Sequence, residues 1–412
     1  MINFRMLKLS DGLLWLATGG LILISFLAIF SSTYGMQIKL GGDPLLFVKK
    51  QFLSLLIASV ALIFFMYIDY KHLKRISIFL YGATILVLFL VLFSGASAQG
   101  AQRWFHLGPL SFQPSELSKI MIIVSLAAFL GDHQRISRLS DAMKLLLLVG
   151  LPFLFIFKQP DLGTALVFIL ILIGMLAASE ASPQLLLFIL TPIFSIILRP
   201  FFFWWLLYLA VLVLALFLVR ASFWEWIFIL GFNVAVGIAV PFIWGMLKAY
   251  QKLRILTFLN PAADPYGAGY HSLQSIIAVG SGGLLGKGFL QGTQTQLQFI
   301  PEQHSDFIFS VIAEEFGFIG SLLVIVFFAL LVFRSLVIAS QARDYFGFLL
   351  ASGIAVMTTF HVSANIGMAV GLLPVVGMPL PLVSFGGSAL FMNFAAIGML
   401  QSIAIRRQKI IF

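Results

Sequence analysis

The sequence has no cysteine, which removes disulfides, a thiolate nucleophile and thiolate metal sites from consideration. Charge is scarce as well. Asp, Glu, Lys and Arg make up 10% of the 412 residues and hydrophobic residues 61%, where a soluble domain carries about 25% and about 45–50%. A water-soluble core cannot absorb that excess. The phosphate loop GxxxxGK[ST], the GxSxG elbow, the HExxH pair and a plausible dinucleotide fingerprint are all missing, which speaks against ATP-driven transport by this chain alone. No internal repeat is apparent.

What the sequence has instead is apolar runs of membrane-spanning length from Asp11 to Arg406; a bilayer core of about 30 Å needs about 20 such residues per helix. Twelve segments emerge, near 11–33, 51–68, 76–95, 114–131, 143–158, 161–180, 184–198, 201–219, 223–247, 307–333, 345–372 and 383–404. The run at 184–198 is short and ends in Arg199-Pro200, where proline stops a helix, so it tilts, re-enters or pairs with 201–219 as a hairpin. The expected fold is all-α: one transmembrane domain over 1–412, a bundle of 10–12 spans with a long folded outer loop at 248–306. The N-terminal MINFRMLKLSDGLLWL shows no small-residue cleavage site and is read as a retained helix.

The net charge of +10 fits cytoplasmic loop charge better than nucleic-acid binding, and no nucleic-acid partner is expected. With a cytoplasmic N-terminus, the inner loops collect Lys71, Lys74, Arg75, Arg135, Arg138, Lys144, Arg220, Arg334, Arg343, Arg406, Arg407 and Lys409, as the positive-inside rule requires. The outer face also receives cations: Lys39, Lys49, Lys50, Arg103, Lys158, Arg199, Lys248, Lys252, Arg254 and Lys287. Several fall in the loops 96–113 and 248–306, which suggests an anionic substrate on that face. The loop 248–306 is too long for a connector. Its aromatic, aliphatic and glycine content predicts short interfacial helices and turns folded onto the bundle.

Within it, Asp264 stands before Pro265 and among Gly267 and Gly269, a rigidly presented carboxylate that serves either as a turn opener or as a chemical group. Ionisable groups inside spans are expensive and are treated as functional hypotheses. Glu116 and Lys119, three apart at the start of the fourth span, share a helix face and form either a structural ion pair or part of a site. Asp161 reads as an N-cap. Pro301-Glu-Gln-His304-Ser305-Asp306, with Glu314 and Glu315 beyond, is compatible with metal binding but lacks paired-ligand spacing, and a cap by Ser305 or Asp306 accounts for its edge. Ser384-Phe-Gly-Gly-Ser388 suits close helix packing better than a broken helix.

Six motifs occur in order: Gly100-Ala-Gln-Arg103-Trp104; Phe112-Gln-Pro-Ser-Glu116-Leu-Ser-Lys119; Lys158-Gln-Pro-Asp161-Leu-Gly-Thr164; Asp264-Pro-Tyr-Gly-Ala-Gly-Tyr-His271 with Gln274-Ser275 and Gly280-Ser-Gly-Gly283; Pro301-Glu302 to Phe307; and Pro381-Leu-Val-Ser384-Phe-Gly-Gly-Ser388. Together they resemble the SEDS family (shape, elongation, division and sporulation), most closely its RodA branch, over nearly the whole chain. The resemblance implies a peptidoglycan glycosyltransferase that polymerises lipid II on the outer face of the bacterial cytoplasmic membrane during elongation. It also implies a class B penicillin-binding protein as transpeptidase partner and undecaprenyl lipids as ligands; both termini are expected in the cytoplasm because Arg406, Arg407 and Lys409 lie inside like Arg5 and Lys8. Asp264 is then the base. Arg103, Lys119, Lys252 and Arg254 are candidates for the pyrophosphate, with room for a divalent cation such as Mg or Mn, and Trp104, Glu116, His271 and Gln274 join the substrate site. The alternative is a lipid II flippase or other transporter. Three departures stand out: Asn260 where relatives often have aspartate, which leaves Asp264 as the carboxylate of its segment; Phe385 where they often have tyrosine; and a surplus hairpin near 184–221, which leaves the topology unchanged.

Overall fold

The computed structural model describes residues 8–94, 96–98, 101–107, 110–132, 139–159, 161–247, 252–253, 256–258 and 269–407. Twelve of its helices correspond to the twelve apolar runs: α1 (Gly12–Lys39), α2 (Leu46–Tyr67), α3 (Tyr70–Ser94), α4 (Pro114–Asp132), α5 (Leu139–Lys158), α6 (Leu162–Ala178), α7 (Pro183–Leu198), α8 (Phe202–Leu218), α9 (Phe223–Met246), α12 (Ile308–Ser340), α13 (Tyr345–Ala369) and α14 (Gly387–Arg406). Among the described residues, eight of them, α1–α4, α9 and α12–α14, are long and apolar enough to cross a membrane. The chain is a multi-pass membrane protein built as a helix bundle.

The starts of these helices follow local chemistry. Asp11 caps α1 by accepting from Leu14 N at 3.0 Å, and Ser222 and Glu225 form a reciprocal capping box on α9. Helix α4 opens with Pro114, whose missing N–H costs nothing at a first turn. The most enclosed helices are α4, α13 and α14, and around them the outer faces carry exposed Leu, Phe and Ile, the pattern of a bundle immersed in lipid.

Both described ends of the chain meet at one end of the bundle. Asp11 N donates to Gln401 Oε1 at 2.8 Å, Gln401 Nε2 returns a bond to Asp11 O at 3.1 Å, and the Asp11 carboxylate pairs with Arg334 and with Arg407. Lys74–Asp132 and Lys71–Asp344 ion pairs join the same end.

Helices α7 and α8 form a hairpin against α9. At 16 and 17 residues they reach only about 24–26 Å at 1.5 Å per residue. Buried Asn233 holds them: its amide donates to Thr191 Oγ1 and Ile229 O, each at 2.8 Å, and its oxygen accepts from Ser195 and Tyr208 at 2.9 and 2.8 Å. Arg199 donates to Gly237 O at 3.0 Å and lies over the Trp205 ring at 5.1 Å. The guanidinium is occupied in joining this hairpin to α9.

Two features depart from a plain bundle. Residues 96–112 carry a small antiparallel sheet of strands β1 (Ala96–Ala98), β2 (Ala101–Leu107) and β3 (Leu110–Phe112) in the order β1-β2-β3. The span read as one continuous helix from 307 is broken at Gly317, with φ 65° and ψ −158° inside α12, a conformation open to glycine. The break is filled by the 283–288 backbone. Lys287 N and Gly288 N donate to Glu314 O and Glu315 O at 3.0 Å, and Phe318 N returns a bond to Gly283 O at 2.9 Å. A Cβ on Gly286 would lie 2.1 Å from Glu315 O.

The described part of the long loop contributes helices α10 (Tyr270–Ser281) and α11 (Thr293–Gln296). Fully buried Glu314 staples it, accepting from Lys287 Nζ at 2.9 Å, from Gln294 N and Thr295 N at 2.9 and 3.0 Å, and from Thr295 Oγ1 at 2.7 Å. Lys287 is thus also occupied by a protein carboxylate. The start of α12 is capped by Phe307 without a side-chain bond, not by Ser305 or Asp306 as expected; Ser305 Oγ instead donates to Glu302 O at 3.2 Å. Gly387 opens α14 where a Cβ would meet Ser54 Oγ at 2.9 Å, so the small-residue run serves close packing on α2.

Candidate functional site

A polar cavity of about 290 Å³ opens at the end of the bundle opposite the termini. Its walls come from β2 (Arg103, Trp104), the first turns of α4 (Gln113, Glu116, Lys119), the start of α6 (Asp161, Thr164), the approach to α12 (Glu302, Ser305, Asp306), residues 377–379, and the start of α14 (Phe385 to Ala389). Helix starts converge here because the chain enters α4, α6, α12 and α14 from the same end, which turns their unsatisfied N–H groups toward the cavity.

Most of the walls are held by bonds between segments. Asp161 caps α6, accepting from Thr164 N at 3.2 Å and Thr164 Oγ1 at 3.1 Å, and also receives Gln113 Nε2 at 3.3 Å. The N-cap reading of Asp161 agrees with this geometry. Ser388 Oγ accepts from Gln113 N at 2.9 Å and donates to Ser111 O at 3.1 Å, fastening β3 to α14. Buried Asn365 of α13 donates to Asp306 O at 2.8 Å and Met378 O at 2.7 Å, setting the spacing of two further walls. Arg103 Nε donates to Gln159 O at 2.7 Å.

The floor is ionic. Lys119 Nζ lies 2.7 Å from Glu116 Oε1 and 3.0 Å from His361 Nε2, with Lys119 and Glu116 only 2% and 5% exposed. The i,i+3 spacing anticipated from the sequence produces this pair. Glu116 Oε2 has no hydrogen-bond partner among the described residues. His361 is missing from the sequence reading; a histidine inside a span was the available signal, since intramembrane ionisable groups mark sites by default.

At the rim, His304 packs against Phe47 at 5.0 Å and Phe385 at 5.6 Å between ring centroids. Burial pushes its imidazole below the ordinary histidine value, and the Glu302 carboxylate 3.9 Å away offsets this only in part. Phe385 thus fills an aromatic seat at the mouth where a tyrosine is common in the resembled family.

Of the residues anticipated from sequence, the structure gathers Arg103, Trp104, Glu116 and Lys119 around this cavity. Lys252, which donates to Gly245 O at 3.4 Å, and His271 and Gln274 on α10 are not among its lining residues. Asp264 and Arg254 lie outside the described residues. Among the described residues no three His, Cys, Asp or Glu side chains converge as a metal set. The cavity instead offers two cations, Arg103 and Lys119, beside Glu116, Asp161, Glu302 and Asp306. That mixture suits a ligand with an anionic group and several hydroxyls, the first held by the cations and helix N-termini and the second by the carboxylates.

The family model for FtsW/RodA/SpoVE, a cell cycle protein, matches residues 11–203 and 181–409. The peptidoglycan glycosyltransferase MrdB of Escherichia coli K12 is 39% identical over 333 residues, 81% of this chain and 78% of that protein. The peptidoglycan glycosyltransferase RodA of Treponema pallidum is 34% identical, covering 96% of this chain and 98% of that one. Among solved structures, a chain of a peptidoglycan synthase complex described as coordinating polymerization and crosslinking superposes with a TM-score of 0.71 at 30% identity, covering 97% of this chain and 98% of that one. The rod shape determining protein RodA of Thermus thermophilus superposes with a TM-score of 0.63 at 26% identity over 97% and 98%.

Proposed function

This chain belongs to the FtsW/RodA/SpoVE family of cell cycle proteins, and on that footing we propose that it is a peptidoglycan glycosyltransferase that polymerises lipid II into glycan strands at the outer face of the bacterial cytoplasmic membrane. The observation that carries the reading is the buried ionic floor of the cavity, at the end of the bundle opposite the termini, in a chain whose relatives are named for this activity. Both termini are proposed to be cytoplasmic, which opens the cavity outward.

Polymerisation joins a C4 hydroxyl of one lipid-linked disaccharide to the anomeric carbon of another and expels a polyprenyl pyrophosphate. The hydroxyl proton needs an acceptor, a service worth about 10²–10⁴-fold in rate, and Asp264 is our candidate. Most glycosidases need two flanking carboxyl groups; pyrophosphate is already a good leaving group, so an inverting transferase needs one. Charge on the departing oxygens is the larger electrostatic demand. Arg103 and Lys119 are the cations available to it in the described cavity, with Lys252 and Arg254 as further candidates from the loop. A divalent cation such as Mg or Mn would neutralise the pyrophosphate if bound, but the described carboxylates do not form a ligand set by themselves.

The transpeptidase partner is proposed to be a class B penicillin-binding protein, in keeping with the fold's match to a chain of a peptidoglycan synthase complex described as coordinating polymerization and crosslinking. The break at Gly317 favours one other reading, a lipid II transporter, since transporters use discontinuous helices. The carboxylates at this break are engaged by Lys287, Thr295, Ser31 and Gln296, however. Lipid II supplied to the purified protein and its partner separates the two: glycan polymer is expected, and translocation across vesicles without polymer would select the transporter.

A further inference from the structure

We propose that His361 is a positioning residue for polymerisation: its unprotonated Nε2 fixes the Lys119 ammonium so that one N–H remains for the ligand in the cavity. The proposal rests on the glycosyltransferase reading above.

His361 is 2% exposed, in the middle of α13, with Nδ1 2.8 Å from Met357 O and Nε2 3.0 Å from Lys119 Nζ. A carbonyl can only accept, so Nδ1 carries the proton. An ammonium can only donate, so Nε2 meets Lys119 with its lone pair. The backbone of α13 therefore selects the tautomer, one turn away, that makes His361 an acceptor for a residue on α4.

Lys119 has three N–H donors on a flexible four-carbon stem. One is taken by Glu116 Oε1 at 2.7 Å and one by His361 Nε2 at 3.0 Å, acceptors that approach from two different helices. Two fixed bonds define the direction of the third, and Lys119 is part of the cavity wall. With Glu116 alone the ammonium could swing about a single contact. The second anchor converts it into a donor whose direction is set before the ligand arrives, the condition under which electrostatic stabilisation of a developing oxyanion is most effective.

The plain alternative is a buried histidine satisfied for packing. An apolar side chain would fill the same space without placing two ring nitrogens in a lipid-immersed core, where unpaired polar groups are costly. Both nitrogens are spent, one on orienting the ring and the other on the cavity's lysine.

The test uses the purified protein with its transpeptidase partner and lipid II as the probe, with folding followed by thermal melting in detergent. His361→Phe keeps the bulk and removes the acceptor; the expected result is a kcat lower by about ten- to a hundred-fold with KM changed less than about threefold. His361→Gln, whose amide oxygen reaches the Nε2 position, restores the rate to within about fivefold of wild type. His361→Asn keeps a polar group near Nδ1 but is too short for Lys119, and is expected to be as slow as His361→Phe; it decides the matter if the phenylalanine variant fails to fold. In a Lys119→Met background, His361→Phe brings no further loss of residual activity or of lipid II binding. A folded His361→Phe or His361→Asn protein at the wild-type rate, a His361→Gln protein as slow as either, or additive losses with Lys119→Met overturns the proposal. Wild-type protein that makes no polymer overturns the glycosyltransferase reading and this inference with it, whereas active wild type with active His361→Phe removes this inference alone.

Discussion

Replacing Lys119 by methionine is the perturbation with the largest expected effect on the folded state. Lys119 Nζ holds Glu116 Oε1 at 2.7 Å and His361 Nε2 at 3.0 Å, and Glu116 Oε2 has no described partner to begin with. The substitution therefore strands a carboxylate whose residue is only 5% exposed, beyond useful screening by water. Breaking a buried pair by removing one partner costs about 3–5 kcal/mol. Adding Glu116→Leu removes the stranded charge, and an apolar pair of similar volume is often close to neutral. The double variant is thus expected to recover most of the loss, so the coupling energy is at least about 3 kcal/mol. Equilibrium unfolding in mild detergent, followed by the fluorescence of the seven tryptophans, measures each corner of the cycle. A Lys119→Met protein destabilised by less than about 1 kcal/mol, or a double variant as unstable as the sum of the singles, would refute the buried-pair reasoning.

Burial holds His304 below its ordinary value, so the unfolded chain takes up a proton more readily than the folded one. Stability is then complete above the unfolded pKa and falls as pH drops through about 6.5; melting temperatures between pH 7.5 and 5.5 are expected to decline, and His304→Phe to flatten that slope. Gly286→Ala places a Cβ 2.1 Å from Glu315 O at φ 81°, which forces apart the segment that fills the break in α12, and the melting temperature is expected to fall sharply while Gly245→Ala, in open space, leaves it near wild type. A Gly267→Cys change in this cysteine-free chain is expected to react with a membrane-impermeant maleimide from outside; labelling only after the membrane is opened would put the proposed active loop in the cytoplasm.

What was legible in the sequence was what local chemistry decides. Hydropathy located all twelve apolar helices, the cap at Asp161 followed from its own dipeptide context, and the Glu116–Lys119 pair followed from helical periodicity. The break at Gly317 was not legible, because the hydrophobic pattern runs through it unchanged and the interruption is made by backbone pairing with 283–288, about thirty residues earlier in the chain. The role of His361 depends on a residue 242 positions away. The partners of the outer cations Arg199 and Lys287 were hidden for the same reason, since Gly237 O and Glu314 are brought to them only by the fold.

The proposed role of Asp264 as the base for glycan polymerisation is tested by polymer formation from lipid II by the purified protein with its partner, wild type against Asp264→Asn. The amide preserves shape and most turn-capping capacity but cannot take the hydroxyl proton. Long glycan strands are expected from the wild type and none above background from an Asp264→Asn protein that melts normally and still binds its partner. Polymer at the wild-type rate from that folded variant would contradict it and return Asp264 to the role of a turn residue.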